Sequence, residues 1–170
     1  MTWFTVGLLA GGLATATVLW LASGLTQPVP AEWRYAFVPL IGVLAVLRDL
    51  GVVPLRLPQN ARQIPRDVLR EGLVRGALRF GFELGTGVRT YVSASTPYLL
   101  ALAVLLTGQR WQAAVLAGLG FGGGRAASAL ARYASRAGEQ WDARLAATLR
   151  PIVVAGSVVT TLAFWLLLLR

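Results

Sequence analysis

The sequence predicts an all-α fold: a polytopic transmembrane helix bundle of about five spans, with a basic amphipathic interfacial helix between the second and third. Three observations predict it. Of 170 residues, 56% are hydrophobic and 14% charged, and the apolar residues come in blocks too long for core helices of a soluble domain this small. The arginines collect between those blocks. One block, Arg79 to Leu106, is long enough to cross a bilayer yet carries polar residues in its first half. The length suits a single transmembrane domain over 1–170, with no room for a second folded domain.

The first span is expected at about 3–25. Ala14-Thr15-Ala16 has the small residues of a cleavage site, but no basic residues precede it, so a retained helix is expected. Gly7 and Gly11, with Ala10 and Ala14, set small residues four apart and permit close helix packing. Gln27-Pro28-Val29-Pro30 then makes a turn, with Glu32 in it.

The second span, about 34–50, follows Trp33 and Tyr35, which suit an aromatic interface belt. Pro39 comes early enough to be tolerated.

From Arg48 to Arg79, seven arginines stand against Asp49, Asp67 and Glu71. Pro54, Pro58 and Pro65 keep its first half irregular, and Pro65 is placed to open a helix. Beyond it Leu69, Leu73, Ala77, Phe80 and Leu84 share one face. Asp67, Glu71, Arg75, Arg79 and Glu83 follow at i,i+4 on the other. This is the expected interfacial helix, with Glu71–Arg75 and Arg79–Glu83 pairs worth about 0.2–0.5 kcal/mol each if exposed.

The third span is expected at about 80–106 and the fourth at about 111–128, separated by the turn Thr107-Gly108-Gln109-Arg110. The fourth is short unless it continues into the helix-prone run after Arg125. Arg125, Arg132, Arg136, Arg144 and Arg150 make a second basic segment, diluted by Glu139 and Asp142. The fifth span, about 151–169, lies behind Pro151. The positive-inside rule puts 48–79 and 125–150 in the cytoplasm of a bacterial-type inner (plasma) membrane protein. The N-terminus is then cytoplasmic and the C-terminus outside.

All 16 basic residues are arginine, a usage that fits a GC-rich genome. The net charge of +9 does not point to nucleic acid, because the arginines lie between apolar spans. It points to anionic lipid headgroups of the bilayer. Absence of cysteine and histidine removes thiol chemistry, haem ligation by histidine and the usual zinc sites, so no cofactor or metal is expected. With no histidine or lysine as base, Ser93, Ser95 and Thr96 are nucleophiles in name only, and the chain reads as more transporter than enzyme.

The third span carries the candidate site. At about 100° per residue, Thr86, Arg89, Thr90, Ser93 and Thr96 fall within an arc of about 120° on one helix. A guanidinium facing lipid would lack partners at several kcal/mol, so the stripe should face other helices or a wet cavity. Glu83 and Arg89 are about 240° apart and cannot pair on a regular helix. If Gly85-Thr86-Gly87 unwinds and Pro97 ends the break, free backbone groups and Arg89 line a binding site. The competing reading makes Ala77, Gly81 and Gly85 a packing stripe and ties Arg89 to an acid on another helix.

Gly118, Gly120 and Gly123 match G-x-G-x-x-G spacing, with Asp142 about twenty residues on. A dinucleotide site would need a strand before them and a βαβ unit around them, and nothing here alternates as a parallel sheet requires. Close helix packing, or a break in the fourth span, accounts for them better.

The run Leu-Gly-Thr-Gly followed by Ser-Ala-Ser-Thr-Pro-Tyr-Leu-Leu-Ala-Leu, within about 84–106, resembles the first helix of small membrane transporters of reducing equivalents that serve cytochrome c biogenesis. The resemblance implies a compact bundle with a proline-broken helix near the substrate path. That family's cysteine after proline is replaced by Tyr98, so thiol–disulfide transport is not carried over.

The expected function is therefore transporter-like, as a monomer or homo-oligomer. Arg89 attracts an anionic group, Thr86, Thr90, Ser93 and Thr96 line the path, and Glu83 is counter-charge or gate. The alternative is a non-catalytic subunit within a larger membrane complex.

Overall fold

A computed structural model describes residues 1–57, 72–88 and 94–168. Among them there are helices and no strands: α1 (Thr2–Ala22), a 3-10 turn (Ser23–Thr26), α2 (Ala31–Asp49), α3 (Leu73–Gly85), α4 (Thr96–Thr107), α5 (Trp111–Ala134) and α6 (Gly138–Leu168). Three segments are long and apolar enough to cross a membrane, Thr2–Thr26, Trp111–Ala134 and Gly138–Leu166, and α4 is a shorter apolar helix. Only 11% of the α6 apolar window is buried by the chain itself, so that surface suits lipid rather than water. The chain is a membrane protein on these helices.

Local chemistry sets the ends. The 3-10 turn after α1 is tightened by hydroxyls bonding backward, Ser23 Oγ to the Trp20 carbonyl (2.6 Å) and Thr26 Oγ1 to that of Ser23 (2.8 Å). α2 starts behind Pro30 and stops in a Schellman turn. Gly51, at φ +76°, donates its N–H to Arg48 (2.9 Å) and Val52 to Leu47 (2.9 Å). α5 runs unbroken through the glycines from Gly118 to Gly124 and past Arg125. α6 starts thirteen residues ahead of Pro151, which sits inside it. The preceding Leu145, Ala146, Ala147 and Leu149 are strong helix formers and override the proline. The second basic segment is therefore largely helical.

The contacts divide into two compact units. The first holds Met1–Val18, Pro58–Val92 and Arg110–Trp141. Here α1 packs on α3 and α5 through seams of small residues. A Cβ on Gly7 would overlap the Leu78 carbonyl, one on Gly11 that of Phe82, and one on Gly85 that of Leu8. Gly12 meets Gly118, and Leu8, fully buried, lies over Gly122. These seams let backbones approach closely enough for dispersion to hold the helices in lipid. Phe4 stacks on Phe80 beside them, with ring centroids 5.9 Å apart.

This packing adds a seam of small residues to the expected faces of the interfacial helix. Its predicted start at Pro65 lies outside the described residues. From Leu73 onward the buried positions are Gly76, Gly81 and Gly85, whereas Leu73 of the apolar face is 94% exposed. The small-residue stripe makes the closest approach because it allows the shorter interhelical distance, while Ala77, Phe80 and Leu84 of the expected face are half-buried beside it.

The second unit holds Leu19–Leu57, Ser93–Gln109 and Asp142–Arg170. Val38 of α2 with Leu99 and Ala103 of α4 forms its core, and Ile41, Leu106 and Phe164 pack around it. On α6, Ser157 and Thr161 are buried, with their hydroxyls bonded back to the Val154 and Ser157 carbonyls. Thr161 lies against Gly42, 2.7 Å from where a Cβ would stand.

Candidate functional site

The predicted third span is not one continuous helix. α3 ends at Gly85 and α4 begins at Thr96. Gly87, at φ +70°, takes the left-handed region that a helix cannot use, and a Cβ there would lie 3.3 Å from the Phe121 ring. Glycine packing and a helix end, set out above as rivals, thus occur together: Gly81 and Gly85 pack on α1, and the helix stops immediately afterwards.

On the α3 side, within the first unit, Thr86 closes the helix. Its Oγ1 donates to the Glu83 carbonyl (2.8 Å), and its own carbonyl accepts from Thr15 Oγ1 (3.0 Å). Glu83 is mostly buried and pairs with Arg79 at 3.5 Å, as the i,i+4 spacing predicts. Arg125 of α5 lies over the Phe121 ring, 5.5 Å from its centroid.

On the α4 side, within the second unit, the first turn is built around a buried carboxylate. Asp49, the last residue of α2, has a side chain with no exposure. Its carboxylate accepts from Ser95 Oγ (2.7 Å) and from the Ser95 backbone N–H (3.2 Å), and pairs with Arg48 at 2.9 Å. Arg48 also donates to Ser95 Oγ at 3.3 Å. Ser95 is the N-cap residue of α4, so Asp49 provides the anion that the positive end of that helix favours. Thr96 and Pro97 follow in the first turn, with Thr96 Oγ1 3.4 Å from the Cβ position of Gly156.

The other end of α4 is closed in the opposite sense. Thr26 Oγ1 donates to the Leu105 carbonyl (3.0 Å), Arg34 Nη1 to that of Leu106 (3.1 Å), and Tyr35 Oη to that of Thr107 (3.2 Å). Arg34 is buried and also donates to the Val29 carbonyl at 2.9 Å. Three of the four carbonyls that a helix C-terminus leaves open are thus taken by side chains. No buried side-chain nitrogen or oxygen among the described residues lacks a hydrogen-bond partner.

Of the predicted site residues, Thr86 and Glu83 belong to the end of α3 and Thr96 and Pro97 to the start of α4. The helical arc relating Thr86 to Thr96 does not apply, because no single helix carries both. Arg89, Thr90 and Ser93 lie outside the described residues. Asp49, Ser95 and Arg34 did not figure among the predicted site residues. A signal for two of them was present: Arg34, Val38, Gly42, Ala45 and Asp49 recur at helical spacing, placing a charge at each end of the buried face of α2.

Among the described residues no group of histidine, cysteine, aspartate or glutamate is arranged to hold a metal ion. The G-x-G-x-x-G run lies inside α5, where Gly118 and Gly122 serve helix packing. No family model matches the chain, and neither does any curated protein or solved structure.

Proposed function

We propose that the chain is a small transporter-like protein of a bacterial-type inner membrane, crossing five times, with the third crossing formed by the interrupted pair α3 and α4. The observation that carries this reading is the interruption itself. A helix that stops at Gly85, with Gly87 in the left-handed region just beyond it, supports a break of the kind that lines the path in transporters. Arg89, in the connecting segment, attracts an anionic group. Thr86, Thr90, Ser93 and Thr96 line its path, and Glu83, held by Arg79, is the counter-charge or gate. The likeness of this stretch to transporters of reducing equivalents agrees with a proline-broken helix near the path, without their thiol chemistry.

Uptake into proteoliposomes of radiolabelled phosphate, sulfate and succinate tests it. The expected result is uptake of at least one anion, abolished in Arg89→Leu while the variant still inserts. Transport unchanged in Arg89→Leu overturns the site, and a wild-type chain that moves none of the three overturns the transport reading.

A second reading, a non-catalytic subunit of a larger membrane complex, is favoured by one observation. Gly120 and Gly124 of α5 have nothing within 4 Å of their Cβ positions, and Leu116, one turn away, is 69% exposed. A helix from a partner would fit that open stripe. Extraction in mild detergent with a foreign subunit at fixed stoichiometry would support it.

A further inference from the structure

Beside the glycine seam of the first unit lies an open groove of about 360 Å³, lined by Gly7, Ala10, Arg75, Leu78, Arg79 and Phe82. Gly7 and Ala10 of α1 carry almost no side chain and leave its floor open. Leu78 and Phe82 of α3 give it apolar walls, each more than a third exposed. Arg75 and Arg79 are one turn apart on α3 and therefore stand one above the other along the groove.

The lining selects the occupant. Two guanidiniums, Arg75 and Arg79, border the groove beside its apolar walls, and Arg79 also pairs with Glu83. A soluble anion would use the arginines and leave the apolar walls wet, whereas an apolar chain alone would leave the arginines unused. We infer that this groove holds an anionic glycerophospholipid, its phosphodiester on Arg75 and Arg79 and the first methylenes of an acyl chain along Gly7, Ala10, Leu78 and Phe82. Guanidinium groups suit this task because they meet phosphate oxygens with paired N–H donors. The groove shares Arg79 with the transport reading through its pair with Glu83, but lipid binding is read separately from anion uptake, so either assignment can fail without the other.

The test is native mass spectrometry of the delipidated full-length protein in detergent, titrated with dioleoylphosphatidylglycerol or dioleoylphosphatidylcholine. The expected preference for the anionic lipid is about tenfold or more, the scale set by two arginines near a lipid surface. Arg75→Gln with Arg79→Gln removes the preference, whereas Arg132→Gln with Arg136→Gln, which takes the same charge from elsewhere, keeps it. Ala10→Trp fills the floor at an exposed position and abolishes the adduct with both arginines intact, so the test stands even if the arginine variant does not fold. Equal binding of the two lipids, an adduct that survives Ala10→Trp, or displacement of phosphatidylglycerol by inorganic phosphate at matching concentration would overturn the assignment.

Discussion

Arg34 and Asp49, at opposite ends of α2, close opposite ends of α4: the guanidinium takes the Leu106 carbonyl at its C-terminus and the carboxylate takes Ser95 at its N-terminus. Each charge meets the pole of the α4 dipole that it stabilises. The two helices are consequently antiparallel and fixed in register by polar groups, while Val38, Leu99 and Ala103 fill the space between. In a membrane this division is expected, because apolar contact does not distinguish a neighbouring helix from lipid.

Removing either charge should destabilise the second unit. Asp49→Ala leaves Arg48 and the first turn of α4 without their anion, at about 3–5 kcal/mol. Arg34→Leu loses two hydrogen bonds from a charged donor, at about 1.5–3 kcal/mol each. The sites are about 22 Å apart along α2, so the effects should add within about 0.5 kcal/mol. By contrast, Asp49→Ala with Ser95→Ala should fall well short of the sum of the single changes. Unfolding by sodium dodecyl sulfate in mixed micelles reads all of these; additivity for Asp49 with Ser95 would mean they do not act as a unit.

The glycines of the chain should separate into two classes. Gly81→Ala and Gly85→Ala set a methyl against the Phe4 and Leu8 carbonyls, which are backbone and cannot swing aside. Both should lower the yield of folded protein and its resistance to protease. Gly120→Ala and Gly124→Ala meet open space and should stabilise α5 by up to about 1 kcal/mol each through helix propensity. Loss of folded protein in the second pair would show that something outside the chain packs there.

The orientation is open to labelling because the chain has no cysteine. Single cysteines at Gln27 and Gln109 should react with an impermeant maleimide from outside the cell, and one at Ser135 only after permeabilisation. Trp20 Nε1 donates to the Gln109 carbonyl at 3.0 Å, which keeps the α1–α2 turn and the end of α4 at one end of the second unit. Opposite accessibility of positions 27 and 109 would rule out five crossings in the proposed order.

The helical class and the apolar segments were legible because hydropathy is summed over twenty residues and tolerates local error. At Gly85-Thr86-Gly87 the sequence offered a break only as one of two readings, because glycines serve helix packing and helix ends alike. Other features depend on distant partners. Asp49 reads in sequence as one acid in an arginine-rich segment, and only the return of the chain at Ser95, 46 residues later, gives its carboxylate a helix to cap. Leu73 and Phe80 mark the apolar face of α3, but how much of that face is covered is decided by the surface it meets: Phe80 stacks on Phe4, whereas Leu73 is exposed. Pro151 reads as a boundary, yet the good helix formers that precede it carry α6 through it.

The polar closures of α4 also bear on how the protein is made. Its 12 residues extend about 18 Å, well short of the hydrocarbon thickness, so α4 is poorly suited to partition into the bilayer as an independent segment. Everything that closes its ends is synthesised earlier: Thr26, Arg34 and Tyr35 for the last turn, Arg48 and Asp49 for the first. When α4 leaves the ribosome, α2 can already be waiting at the insertion site with both charges in place. A rearranged gene that encodes α4 ahead of α2 would keep the side chains that close α4 and reverse that order. Its product should insert less efficiently than the natural chain, a difference that cell-free synthesis with microsomes or inverted vesicles would register.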